Sequence, residues 1–363
     1  MKILFLTDGL APFVIGGMQQ HSTMMVKHLA PLVDEITVMH CGDPNKDPAS
    51  DSDVLGALGS PSNVSVIGLV FKDKSFFPGH YVRASKKYSL NLYNTISNYL
   101  SSFDVVYAQG FTGYAFIAKH KKLVSNLHGL EMFQRSFSLR EKLKKLILRN
   151  LALRIIQQSS FVISLGGKLT EILLGLGVER IILSPNGIDT KRLLNSSTKT
   201  VEAISFIFIG RNDKRKGFSI LLEALKRSKE KVSLKVIGPW PEIKTPPHNL
   251  IYYGEIKSKD KIFEIIDTSD VLVVPSLSEG MPTVILEAMA RGKAVIATNV
   301  GAVSELVSEE NGVLIQAGSV EELSNAITNI SKDDLHRAEM VSIQKAKNLT
   351  WDRVIENLLK ELI

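Results

Sequence analysis

The stretch "DVLVVPSLSEGMPTVILEAMARGKAVIAT" (270–298) decides the fold. It opens on a β-branched run, "DVLVVPS", and closes on a second, "KAVIAT", each too short for a helix and bounded by turn residues. Between them, Pro282 suits the first turn of a helix that runs through Arg291, where Gly292 is a natural stop. Strand, helix and strand in this order predict a βαβ unit, and hence a parallel sheet covered by helices.

The same rhythm continues in both directions. "KILFLT", "EITVMH", "VSVIGL", "DVVYA", "KLVSNL", "FVISL" and "RIILS" precede the stretch, and "ISFIFIG", "VSLKVIG" and "NLIYYG" lie nearer to it. The alternation breaks at "SPNGIDTKRLLNSSTKT" (184–200), a turn signal with a polar tail, and then restarts. Two doubly wound halves follow from this, 1–186 and 187–350, with a linker near 186–203. The last segment, 351–363, carries a helical stripe at Val354, Leu358 and Leu362. Open parallel sheets bind ligands beyond the carboxyl ends of their strands, so two such sheets predict a cleft between domains.

The 363 residues exceed what one core usually holds, and 44% hydrophobic with 22% charged residues describe a globular chain. A single cysteine, Cys41, rules out an internal disulfide framework and fits a reducing compartment. The run "MKILFLTDGLAPF" breaks at Asp8, too short for a signal-peptide core or a membrane span, so a cytoplasmic protein is expected. A formal charge of +7 favours anionic partners without choosing among them. The basic residues are spread over two loops and one helix, with no RNA motif or aromatic platform, which argues against nucleic acid.

The strand ends carry the chemistry. Gly16 and Gly17 open a helix after the first strand, either as a plain turn or as a place where backbone amides reach an anion. His128 follows "KLVSNL", as a structural histidine or as a group facing the cleft. Arg211 and Lys216, in "FIFIGRNDKRKGF", offer a planar fork and a point charge suited to a diphosphate; a solvated basic loop is the plainer alternative. In the opening stretch the amides of Gly280, Met281 and Thr283 would surround a helix N-terminus, with Pro282 in its first turn. Glu279 stands before that helix, open to sugar hydroxyls. Glu287 lies one turn beyond Thr283 among apolar neighbours, and a buried carboxylate requires a partner such as a ribose diol.

Two metal- or phosphate-like spellings are set aside. "DSD" (51–53) has the D-x-D form but sits in a polar loop with no strand before it, and "GGKLTE" (166–171) has Val162 where a P-loop needs glycine. "RSFSLREKLKKLILRNLALR" (135–154) interleaves cations with leucines, as a solvated helix or as a peripheral contact with an anionic membrane.

The E-x7-E spacing of Glu279 and Glu287, the early Gly-Gly, "PNGID", "GRNDKRKG" and "VGAVSELV" (300–307) together resemble the retaining glycosyltransferases of family 4. The resemblance implies the GT-B fold, two Rossmann-like domains, with helix 351–363 crossing back onto the first. It also implies a nucleotide-sugar donor, UDP-linked before GDP-linked, and no cofactor or obligatory metal. Arg211 and Lys216 would neutralise the departing diphosphate and Glu287 would hold the ribose. Glu279 and the following amides would hold the donor sugar, Gly16 and Gly17 would admit the substrates, and His128 would line the reaction centre. The expected acceptor is a hydroxyl of a cell-envelope polysaccharide, lipopolysaccharide or lipid-linked glycan, met at the inner face of the membrane. Gly129 stands where some relatives carry aspartate, and Ala302 where a second glycine is common. A sugar-nucleotide epimerase, or a non-catalytic nucleotide-sugar or nucleic-acid binding module, is the alternative.

Overall fold

In the computed structural model the described residues are all except Ile15, 42–48, 72–78, 195–202, 228–231 and 242–248. Part of the expected linker, 195–202, therefore lies outside them. Among the described residues the strands form two parallel sheets. β1 (Lys2–Leu6), β2 (Glu35–Cys41), β3 (Val64–Leu69), β4 (Val105–Gln109), β5 (Leu123–Asn126), β6 (Phe161–Ser164) and β7 (Ile181–Leu183) run in the order β3-β2-β1-β4-β5-β6-β7. β8 (Ser205–Ile209), β9 (Ser233–Ile237), β10 (Asn249–Gly254), β11 (Val271–Val274), β12 (Ala294–Thr298) and β13 (Gly312–Ile315) run in the order β10-β9-β8-β11-β12-β13.

Central strands of such sheets are covered on both faces and read as continuous apolar runs. "VLVV" of β11 and "AVIAT" of β12 are buried throughout. β10, at an edge, exposes Asn249, Ile251 and Tyr253 instead. β13 is the strand that sequence reading overlooks: it has four residues, starts on glycine, and shows exposed Val313 at the opposite edge.

The chain divides into two units. The first comprises Met1–Leu165, Leu169–Pro185 and Val354–Ile363, and the second Gly166–Lys168 and Asn186–Arg353. In the first, Phe5 of β1 stacks on Tyr107 of β4 with ring centroids 5.4 Å apart. The terminal helix Trp351–Leu362 buries Val354, Leu358 and Leu362, and Lys122 Nζ donates to the Leu362 carbonyl at 2.6 Å. In the second, Phe208, Phe218 and Trp240 pack together, and the Trp240 indole donates to the Gly210 carbonyl at 2.7 Å. That bond pins the exit of β8.

Several local expectations change. Pro282 is the N-cap of a helix Thr283–Ala290 rather than part of its first turn, because its ψ of 116° is extended. Arg291 is the C-cap, and Gly292 stops the helix at φ +68°. "DSD" is not loop: it forms the first turn of a helix, Asp51–Leu58, where Ser50 Oγ accepts from the Asp53 amide and two acids face the helix N-terminus. The basic segment becomes helical only at Leu139, after the Ser138 cap, and continues to Gln158. Among the described residues no helix is long and apolar enough to cross a membrane.

Each sheet has one place where neighbouring strands send their crossovers in opposite directions, β1/β4 in the first and β8/β11 in the second. In the second unit the two diverging loops touch closely. Gly217 has φ +70°, and a Cβ there would lie 1.9 Å from the Pro275 carbonyl oxygen at the end of β11. Gly217→Ala therefore combines a left-handed backbone with a backbone clash, and a loss of about 2–4 kcal/mol is expected. Urea unfolding checks this through a lowered midpoint at unchanged slope.

Candidate functional site

The loop after β8 is built around Asp213, whose side chain accepts from the Arg215 amide at 2.9 Å and pairs with the Arg215 guanidinium. Gly217 then turns the chain into the helix Phe218–Arg227. This arrangement aims Lys216 across the β8/β11 divide. Its Nζ lies 2.6 Å from Glu279 Oε1, which also accepts from Ser276 Oγ at 2.7 Å. Glu279 is thus held by a cation and a hydroxyl, two partners that the sequence did not reveal. Arg211 is exposed at the start of the loop, and no described protein group bonds its guanidinium.

Beyond Glu279 the chain enters the helix Thr283–Ala290. No hydrogen bond within the described residues claims the amides of Gly280, Met281 and Thr283, so three donors lie at or just before a helix N-terminus, where negative charge is favoured. Two neighbours fix this loop. Asn186 Nδ2 donates to the Met281 carbonyl at 2.7 Å, and the Ala302 amide donates to the Gly280 carbonyl at 2.8 Å. Gly301, at φ +56°, leaves no room for a Cβ: one would sit 2.3 Å from the carbonyl oxygens of Glu279 and Gly280. Ala302 is fully buried and tolerated, so the close approach needs glycine only at 301.

Glu287 is 6% exposed, in the second turn of the helix among buried Ile285, Leu286, Ala288 and Met289. Its Oε1 is paired with Lys259 Nζ, a partner the sequence did not reveal. Ser258 caps the helix Lys259–Asp267 and places that lysine at its first position. The expectation that Glu287 relies on a ligand diol is corrected to this extent: a half-exposed lysine already balances its charge, because an unpaired buried carboxylate costs several kcal/mol, on the order of 3–5 when one partner is removed.

In the first unit Gly16 is the N-cap of the helix Gly17–Leu29, in extended backbone, and Gly17 faces open space. Gln19, on the first turn, donates to Asp8 Oδ1 at 2.9 Å, and burial raises the Asp8 carboxyl to about 6. At the ends of β4 and β5 a second group forms. His128 Nε2 lies 2.6 Å from Gln109 Oε1, Gln109 Nε2 lies 3.2 Å from His21 Nδ1, and the imidazoles of His21 and His128 meet edge to face at 4.8 Å. His128 has left-handed backbone, φ +55°, held by its amide donating to Asn126 Oδ1 at 2.9 Å. Burial lowers His128 to about 3; it also lowers His21, with the neighbouring His128 adding to the effect.

The structure therefore brings Lys216, Glu279 and the amides of 280–283 together, and gathers Glu287 with Lys259. Asp8, His21, Gln109, Asn186 and Lys259 escaped sequence reading. For Gln109 the available signal was its place as the last residue of a strand next to a divergence point.

The depressed His128 has a sign that can be tested. Between its unfolded value near 6.5 and about 3, the unfolded chain binds a proton that the folded chain refuses, so stability is full above pH 6.5 and falls as pH falls. His128→Gln removes this dependence. Relative to the native protein it should gain on the order of 2 kcal/mol between pH 6.5 and 4.5, read from urea midpoints at each pH.

Residues 15–192 match the family model described as Glycosyltransferase Family 4, and residues 203–333 the one described as Glycosyl transferases group 1. The glycosyltransferase TuaC of Bacillus subtilis, whose name places it in teichuronic acid biosynthesis, is 31% identical over 135 residues, covering 37% of this chain and 34% of its own. Across the first such relatives the chain spans only 33% to 53% of their length. Among solved structures, sucrose-phosphate synthase of Thermosynechococcus elongatus is similar with a TM-score of 0.77 at 17% identity, over 99% of this chain and 97% of that one. HepE of Anabaena, solved in complex with UDP-glucose, gives 0.67 at 20% identity over 99% of each chain. Likeness at these identities speaks to the fold.

Proposed function

The chain belongs to the family 4 type of glycosyltransferase, and on that premise we propose that it moves a sugar from a nucleotide-sugar donor to an acceptor hydroxyl with retention of configuration. The observation that carries this is the Lys216–Glu279 pair beside the amides of Gly280, Met281 and Thr283, where the loops after β8 and β11 diverge. A diphosphate would meet Lys216, Arg211 and the helix N-terminus, which together stabilise the charge that develops as the sugar–phosphate bond breaks. The new bond forms between the sugar carbon and the acceptor oxygen, and the acceptor proton goes to the departing phosphate. Glu287 would take the ribose and Glu279 the sugar hydroxyls. Lys216, Arg211 and the helix amides would carry the diphosphate charge with no obligatory metal and no further cofactor.

A UDP-sugar is the first donor to test, since a neighbour of the same fold was solved with UDP-glucose; GDP-sugars follow. The acceptor is proposed to be a cell-envelope glycan, in line with the name of TuaC. In a screen of UDP-, GDP- and ADP-sugars with a glycan acceptor, one donor should release nucleotide, with EDTA leaving the rate unchanged. Lys216→Ala and Arg211→Ala should each lower that rate by about 10²–10³-fold; Arg211→Ala should leave the unfolding midpoint nearly unmoved, whereas Lys216→Ala should lower it, because Glu279 loses its cation. Near-normal release from both variants would overturn the clamp.

The membrane contact is proposed for the start of the helix Leu139–Gln158. Leu139, Leu143 and Leu146 are 86%, 59% and 47% exposed, at a spacing that puts them on one face, with Arg140, Lys142 and Lys144 exposed beside them. Lys145 and Arg149 do not contribute, because they are spent on the carbonyls of Gln134, Arg135 and Met132. Exposed leucines among cations suit the surface of an anionic bilayer. The protein should float with vesicles containing phosphatidylglycerol at low salt and not with neutral ones, and the double variant Leu139→Glu/Leu143→Glu should stay in solution.

A further inference from the structure

We propose that Gln109 is a positioning residue that sets the tautomer of His128, keeping its proton on Nε2 and leaving a bare lone pair at Nδ1 to accept a hydrogen bond from a substrate hydroxyl. Gln109 is the last residue of β4 and is wholly buried, so its amide has only protein partners to choose from. Its Nε2 lies 3.2 Å from His21 Nδ1 and 3.8 Å from Met25 Sδ. A thioether sulfur only accepts, so the NH2 group must face this side; the reversed amide would set oxygen against sulfur. The opposite end of the amide then presents Oε1, which only accepts, 2.6 Å from His128 Nε2. His128 Nε2 must carry the hydrogen.

The same reasoning fixes His21 in the opposite sense at its inner nitrogen: Nδ1 accepts from Gln109, and the proton sits on Nε2. One glutamine thereby assigns both rings. Burial keeps both imidazoles neutral, so the assignment holds at physiological pH. The His128 ring cannot turn over to exchange its nitrogens without losing the Gln109 bond, and its backbone is held from behind by Asn126. Among the described residues no group bonds His128 Nδ1, and the residue is only partly covered. His128 therefore accepts a hydrogen bond at that nitrogen and cannot donate one, so it orients a hydroxyl and does not serve as a proton source.

The identity of the hydroxyl rests on the transferase reading; the tautomer does not. Long-range proton–nitrogen spectra of protein labelled with 15N-histidine should show His21 and His128 each protonated at Nε2 at pH 7, with His128→Gln assigning its own signal. A proton on Nδ1 of His128 in the native protein would overturn the proposal. Gln109→Glu removes the NH2 donor and keeps an acceptor. His21 should then gain a proton on Nδ1, as the other tautomer or the imidazolium, while His128 stays protonated on Nε2. His21 remaining unprotonated at Nδ1 in that variant would also overturn it. Gln109→Leu, which avoids a buried carboxylate, should release His128 to a mixture of tautomers and lower turnover about tenfold, the worth of one hydrogen bond, with UDP affinity within about twofold of native. If neither variant folds, the native spectrum still decides. A protein that shows these tautomers but releases no nucleotide from any donor keeps the Gln109 assignment and loses the transferase reading.

Discussion

The constraint on which the rest of the molecule depends is that a parallel sheet wound on both faces must reverse its crossovers once. At that reversal two neighbouring loops leave in opposite directions, and the strand ends between them are left uncovered. In the second unit the reversal lies between β8 and β11. Everything that bears charge there follows from it: Asp213 shapes one loop, Gly217 brings it against the end of β11, and Lys216 reaches Glu279 on the other. In the first unit the reversal lies between β1 and β4, and Asp8, His21 and Gln109 gather around it.

The second unit meets the cost of keeping carboxylates out of water by pairing. Glu279 has Lys216 and Ser276; Glu287 has Lys259. Both carboxylates are nearly enclosed while both lysines keep part of their length in solvent. In such asymmetric pairs the acid is held still and the exposed ammonium recovers hydration when it leaves, so the cost of parting falls on the acid, which then needs another partner. Arg211 stands outside this pairing as surplus positive charge.

Much of this architecture was legible in the sequence, for a physical reason. β1 to β12 announce themselves as apolar or β-branched runs bounded by turn residues, whereas β13, four residues opening on glycine, carries no such mark. Lys216 and Glu279 could be placed because each lies just past a strand. What the sequence could not show was the partner of each charge. Lys259 is 28 positions from Glu287, at the start of a different helix, and only the tertiary fold of the unit joins them. Gln109 is the same case: its neighbours are His21, from the helix Gly17–Leu29, and His128, from just past β5, and a polar residue at a strand terminus reads as ordinary until these are brought side by side.

The backbone of His128 has a consequence for which sequences this position can accept. At φ +55° a side chain branched at Cβ is strongly disfavoured, while glycine, asparagine, aspartate and histidine are the residues that tolerate it best. Of these, histidine combines a ring nitrogen that donates inward with a second that accepts outward. Single substitutions therefore divide into those the chain geometry rejects and those it admits at the loss of that two-sided ring. A search for altered specificity in this protein is better begun at Gln109, whose backbone is ordinary strand, than at the histidine it holds.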